Sequence, residues 1–201
     1  MNRAPVRILI FALCIASVAA VPAISSAALP AFARMQEPAP QAGTNLEMPF
    51  VKEPVERSGA ACISMLLQFW AGKTPRKLKG SSNVNDIQKE LPSAGKQEDT
   101  ALAMRKYVQA TGLRAVVFRG KWAVLKDHVS KSHPVIVAFA AGGEKQPLHY
   151  VVVAGIDDDG GYVFVNDPSR QSLLRLSRDD FEKQWSGAEN WALLAFPLPG
   201  R

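Results

Sequence analysis

The stretch Leu148-His-Tyr-Val-Val-Val-Ala-Gly-Ile-Asp157, continued by Asp-Asp-Gly-Gly-Tyr-Val-Phe-Val-Asn-Asp-Pro168, decides how this chain folds. It reads as two antiparallel strands, 150–156 and 162–165, around an Asp- and Gly-rich turn. His149 opens the first strand and Asp167 follows the second. With the turn centred near Asp158, residue 149 faces residue 167, and cross-strand neighbours have Cβ atoms about 5 Å apart. A carboxylate at that distance fixes an imidazole tautomer and stabilises its charged form, the orienting role in nucleophilic catalysis. A structural His–Asp contact needs the same geometry, and the hairpin alone leaves both roles open. The turn lacks the alternating ligands and terminal Glu of a calcium loop and reads as a plain turn.

Working outward, the apolar run 134–140 predicts a buried strand, 114–119 another, and 191–196 a last one. Between them, 122–130 and 177–185 have helical patterns, the second capped by Ser177. Upstream the period changes. Ile63, Leu66, Leu67 and Trp70 fall on one face of a helix that starts at Ser58 and ends at Gly72. Ser58 is placed as its N-cap. Residues 84–91 and 99–111 predict two further helices, the latter capped by Asp99 or Thr100 and ended by Gly112. Helices first and antiparallel strands second predict an α+β domain over 46–199, with the first helix packed on the later sheet.

The chain has 201 residues, 47% hydrophobic and 21% charged, which excludes a disordered or collagen-like class. Two cysteines, Cys14 and Cys62, exclude a disulfide-knot scaffold and a four-cysteine zinc site. Residues 1–33 read as an export signal. Arg3 and Arg7 precede a short apolar run, and Ala31-Phe-Ala33 offers a small-residue cleavage site. Cleavage there removes Cys14, so the exported protein has one thiol and no internal disulfide. Residues 34–45, with Pro38, Pro40 and Gly43, read as a flexible leader. The densest basic stretch, Lys73-Thr-Pro-Arg-Lys-Leu-Lys79, has no interleaved aromatics and reads as a solvated loop, not a nucleic-acid surface. No phosphate loop, repeat or metal-ligand spacing is present, so no cofactor or metal is expected, and a monomer is.

A nucleophile to go with His149 is sought at a helix N-terminus, where the dipole and free amides favour an anion. The sequence there is Ser58-Gly-Ala-Ala-Cys62, whose small residues would leave room for a substrate backbone. Cys62 lies a full turn inside the helix among apolar residues, and a thiol in that setting packs. His128 and His133 read as surface or helix-end residues.

Together these residues resemble a family. Met48-Pro-Phe-Val51, Ser58-Gly-Ala-Ala61, the 65–70 helix, Pro134-Val-Ile-Val137, the His149 strand, Val165-Asn-Asp-Pro168, Phe181-Glu-Lys-Gln-Trp185 and Asn190-Trp-Ala-Leu-Leu194 occur in the order seen in papain-like cysteine peptidases of family thirty-nine. These are the double-glycine leader peptidases that process bacteriocins, and the chain is most similar to their small exported bacterial relatives. The resemblance implies a papain-like fold with Cys, His and Asp in chain order. His149 and Asp167 match the last two, and Ser58 stands at the cysteine position. An oxyanion-stabilising Gln five or six residues upstream is matched by Glu53 or Lys52. A serine hydroxyl needs general-base attack by neutral His, unlike a thiolate, and a lost oxyanion donor costs about 10²–10³ in rate. The resemblance therefore implies an exported peptidase-like domain that binds a peptide or protein in its cleft with lost or weak hydrolysis. The alternative is an active peptidase using Ser58, His149 and Asp167 and cleaving after small residues.

Overall fold

The computed structural model describes residues 44–92, 97–140 and 148–198. The signal assignment at 1–33 and most of the leader lie outside them. In chain order the elements are β1 (Thr44–Asn45), a 3-10 turn (Val55–Arg57), α1 (Ser58–Ala71), α2 (Val84–Glu90), α3 (Gln97–Ala110), β2 (Leu113–Arg119), α4 (Trp122–Ser130), β3 (Val135–Phe139), β4 (His149–Asp157), β5 (Tyr162–Asn166), β6 (Leu174–Ser177), α5 (Arg178–Gly187) and β7 (Trp191–Pro197). The strands make one antiparallel sheet in the order β2-β7-β3-β4-β5-β6, and β1 pairs with the far end of β4.

Alternation along the strands explains how helices come to lie on both faces. On one face Ile136, Ala138, Tyr150, Val152, Leu193 and Ala195 meet α1, α2 and α3 through residues such as Ile63, Leu66, Ile87 and Met104. On the other, Val135, Val137, Val151, Val153, Val163 and Leu194 meet Leu125 and Val129 of α4 and Phe181 and Trp185 of α5. Both faces of β3 are covered, so the whole strand is buried, and its sequence is an unbroken apolar run rather than an alternating one. α1 is likewise buried on nearly every side, as its Ala- and Leu-rich sequence requires. Among the described residues no helix is long and apolar enough to cross a membrane.

Several expectations need correction. Ser58 does not cap α1. The 3-10 turn runs straight into the helix, so Ser58 is already helical (φ −58°, ψ −35°) and Arg57 holds the cap position. Asp99 and Thr100 are helical as well, because α3 begins at Gln97. Asn45, assigned to the leader, is in β1 opposite Gly155. A two-residue strand has no periodicity to read, and it exists because β4 offers it an edge. The short strand β6 went unpredicted for the same reason: its pairing with β5 makes it a strand. Ser177 does cap α5, accepting from the Asp180 amide at 3.1 Å.

Candidate functional site

The turn that follows β5 builds the first half of the site. Pro168, with φ held by its ring, follows Asp167, and the Arg170 N–H donates to the Asp167 carbonyl at 3.0 Å, closing a four-residue turn. The Pro168 carbonyl accepts from the Glu53 N–H at 3.0 Å, which ties the segment before α1 to this turn. His149 begins β4, next to β5. The imidazole Nε2 lies 2.8 Å from Asp167 Oδ1, with His149 side-chain exposure at 12% and Asp167 at 5%.

The expected pair is therefore present, but its register is not the expected one. β4 and β5 pair Asp157 with Tyr162 and Val152 with Asn166, and a bulge lies between Val153 and Gly155. The Ala154 carbonyl at the bulge accepts from the Leu46 N–H at 2.6 Å. Continued toward the strand ends, this register sets His149 and Asp167 on a diagonal rather than directly opposite. Diagonal neighbours share a face and stay within reach of long side chains, so the contact survives an error that would separate smaller residues.

Asp167 is buried, which pushes its carboxyl pKa up. The hydrogen bond and charge of His149, then two hydrogen bonds from Ser169, outweigh burial and hold it below the ordinary carboxylate value. The stabilisation from the ionised form is complete above the unfolded value near about 3.9 and is lost as pH falls through the lowered folded value. Oδ1 accepts from Ser169 N at 2.9 Å and Ser169 Oγ at 2.8 Å as well as facing Nε2. Crowded by donors, it leaves the proton on Nε2 and makes Nδ1 the free acceptor of neutral His149. His149 Nδ1 is buried and has no partner among the described residues.

The second half of the site is the start of α1. Ser58 is 1% exposed, and its hydroxyl oxygen accepts from the Tyr150 backbone N–H at 3.1 Å. No hydrogen bond joins it to His149. The room that the small residues of the first turn leave is taken by Tyr150: Gly59 and Ala60 are buried, and a methyl on Gly59 would touch the Tyr150 ring at 3.4 Å. Glu53 is half-buried and paired with Arg57, 3.4 Å from Oε2 to Nε, while Lys52 is exposed. The Glu53 carboxylate thus shares its charge with a cation four residues on.

Cys62 is a free cysteine with 0% exposure. Burial, and then the negative charge of Asp167, push its thiol pKa well up. A protonated, inaccessible thiol is a packing group, so thiol alkylation of the native protein is expected to leave Cys62 unmodified until the protein unfolds. Mass spectrometry after iodoacetamide treatment with and without denaturant measures this directly.

The other two histidines are not simple surface residues. His133 stacks on Phe196 at 5.7 Å and lies 6.0 Å from both His128 and the Trp70 ring. Burial lowers the pKa of both imidazoles. They form an aromatic corner of the domain and are not part of the His149 site. Reading the sequence missed Tyr150, Ser169 and Arg57 as site residues. For Ser169 a signal existed, since Asp-Pro-Ser is a sequence in which the Asp side chain accepts from the amide two residues on.

Comparison with known proteins bears on the family and the fold. Residues 58–193 match the model of the Peptidase_C39 like family, over more than half of the chain. The crystal structure of the peptidase domain of Streptococcus ComA, a bi-functional ABC transporter involved in a quorum sensing pathway, is similar. Identity is 20%, with 74% of this chain and 97% of that chain covered, and the TM-score is 0.56. A putative C39-like peptidase from Bacillus anthracis is 17% identical, covering 79% of this chain and 99% of that one, with a TM-score of 0.58. These two likenesses concern the fold, which is the α+β papain-like one. A comparison with curated proteins gives no significant match. With the family's model running from the first residue of α1 into β7, the chain belongs to the Peptidase_C39 like family.

Proposed function

We propose that this chain is an exported member of its family that binds a peptide or partner protein in its cleft and hydrolyses it weakly or not at all. On this reading Ser58 stands at the position of the nucleophilic cysteine, and Glu53 or Lys52 at that of the oxyanion-stabilising glutamine. The observation that carries it is the engagement of Ser58. Its hydroxyl accepts from the Tyr150 amide, while His149 Nδ1, the atom that would take its proton, has no partner among the described residues. A serine is a nucleophile only while a base removes its proton, and that contact is missing. A carboxylate at residue 53, even shared with Arg57, opposes rather than favours a developing oxyanion. Export is inferred from the basic, apolar and small-residue order of residues 1–33.

Turnover of a peptide library by the native protein is expected to stay at background. Clear turnover that disappears in His149→Ala would overturn this reading. One observation favours the second reading, an active hydrolase with Ser58, His149 and Asp167: the His149–Asp167 pair is intact at 2.8 Å. A hydroxyl-directed fluorophosphonate separates the two. We expect no labelling of Ser58 in folded protein, whereas stoichiometric labelling would establish the hydrolase.

A further inference from the structure

We infer that Ser169 is a positioning residue of this site, its hydroxyl holding Asp167 Oδ1 on His149 Nε2 and so presenting Nδ1 as the free nitrogen. The inference deepens the reading above, because it concerns the same His149–Asp167 pair. It stands on the geometry of one oxygen. Asp167 Oδ1 faces three groups: His149 Nε2 at 2.8 Å, Ser169 N at 2.9 Å and Ser169 Oγ at 2.8 Å. The backbone amide contact is what any residue supplies in a turn opened by Asp. The hydroxyl contact is particular to serine or threonine.

The turn does not need that hydroxyl for its own closure. The Arg170 N–H donates to the Asp167 carbonyl at 3.0 Å, and the Asp167 N–H donates to the Gln171 carbonyl at 3.0 Å. On the far side of the loop the Leu173 N–H donates to the side chain of buried Asn166 at 2.9 Å. With the main chain fixed from both ends, the remaining freedom at Asp167 is rotation of its carboxylate about the side-chain bond. The Ser169 hydroxyl opposes that rotation, since turning Oδ1 away from His149 would break two contacts at once. It also stabilises the ionised form, because a hydroxyl donor to a carboxylate favours the charge. An ionised, fixed Oδ1 accepts the Nε2 proton, and the lone pair of neutral His149 then lies on Nδ1. Ser169 acts through Asp167 and His149, its amide and hydroxyl both donating to Asp167.

Nuclear magnetic resonance tests this without any substrate. The carboxyl carbon of Asp167 and the two ring nitrogens of His149 are titrated in native protein, Ser169→Ala and Ser169→Thr. In Ser169→Ala the Asp167 midpoint is expected to rise by about one to two pH units, the scale of one lost hydrogen bond to a charged group. A share of neutral His149 should move from the Nε2–H to the Nδ1–H form. Ser169→Thr keeps the hydroxyl and should restore both. Asp167 and His149 titrating in Ser169→Ala as they do in native protein would overturn the inference, as would a change in Tm without a change in either titration, which marks mere closure of the turn. Neither readout depends on turnover or on a ligand, so a failure here is distinct from failure of the peptide-binding reading.

Discussion

Ser58→Cys combined with Glu53→Gln is expected to raise peptide cleavage at least about 10²-fold above the native protein. The physical case begins with His149. Its Nε2 is committed to Asp167, and among the described residues Nδ1 has no partner, so on the proposed reading Nδ1 is the base for a group at residue 58. A hydroxyl needs that base in the transition state itself, whereas a thiol next to an imidazole and a helix N-terminus ionises beforehand. The Tyr150 N–H that now donates to Ser58 would not hold a thiol as firmly, since sulfur is a weak acceptor. Replacing Glu53 by Gln supplies an oxyanion donor of the kind whose loss costs about 10²–10³ in rate. The loss of its partly exposed pair with Arg57 costs little, because such pairs contribute about 0–1 kcal/mol. Initial rates on a peptide library, with Ser58→Cys alone and the double variant side by side, measure the two contributions. A rate still at background in both would place the loss elsewhere in the domain and remove Ser58 from the explanation.

The second large effect concerns the fold. Phe181→Ala should destabilise the domain by about 3–5 kcal/mol, the range for deleting a buried aromatic ring, and lower Tm by about 10 °C or more. Phe181 is 0% exposed at the centre of the α4–α5 side of the sheet. Its ring packs edge-on against Phe139 at 5.5 Å and Trp122 at 6.3 Å and tilts against Trp185 at 5.5 Å. The cavity left by alanine cannot close, because β3 and β7 behind it are held by the helices of the other face. His149 lies on β4 of this same sheet and Asp167 directly after β5, so the His149–Asp167 pair should loosen with it. Thermal unfolding followed by circular dichroism gives the number, and a shift below about 2 °C would mean that α5 contributes little to the core.

How much of this was legible in advance differs from element to element. The apolar runs at 134–140 and 191–196 read as strands because side chains on both faces must be apolar when helices cover both. α1 was legible from Ile63, Leu66, Leu67 and Trp70, and α5 from its Ser177 cap. β6 and β1 were not, since a strand of two or four residues is made by the edge that receives it. The nearness of His149 to Asp167 was legible and its register was not. A bulge is invisible in the alternation of Val-Val-Val-Ala-Gly, where neighbouring side chains are all apolar.

Ser58 marks the same division most clearly. Sequence by itself determined the residue types: a serine opening the first helix, a histidine opening one strand, an aspartate and a proline ending the next. These follow from local rules of periodicity, capping and turn chemistry, which act over a few residues. Only the tertiary structure decided what each polar atom faces. It turned the Ser58 hydroxyl from a helix cap to the Tyr150 amide, set Ser169 on the carboxylate, and left His149 Nδ1 without a partner among the described residues. The reason is range. A hydrogen bond between residues 58 and 150 depends on how α1 lies against β4, and that is fixed by burial of the whole sheet face, to which no short stretch of the chain holds the key.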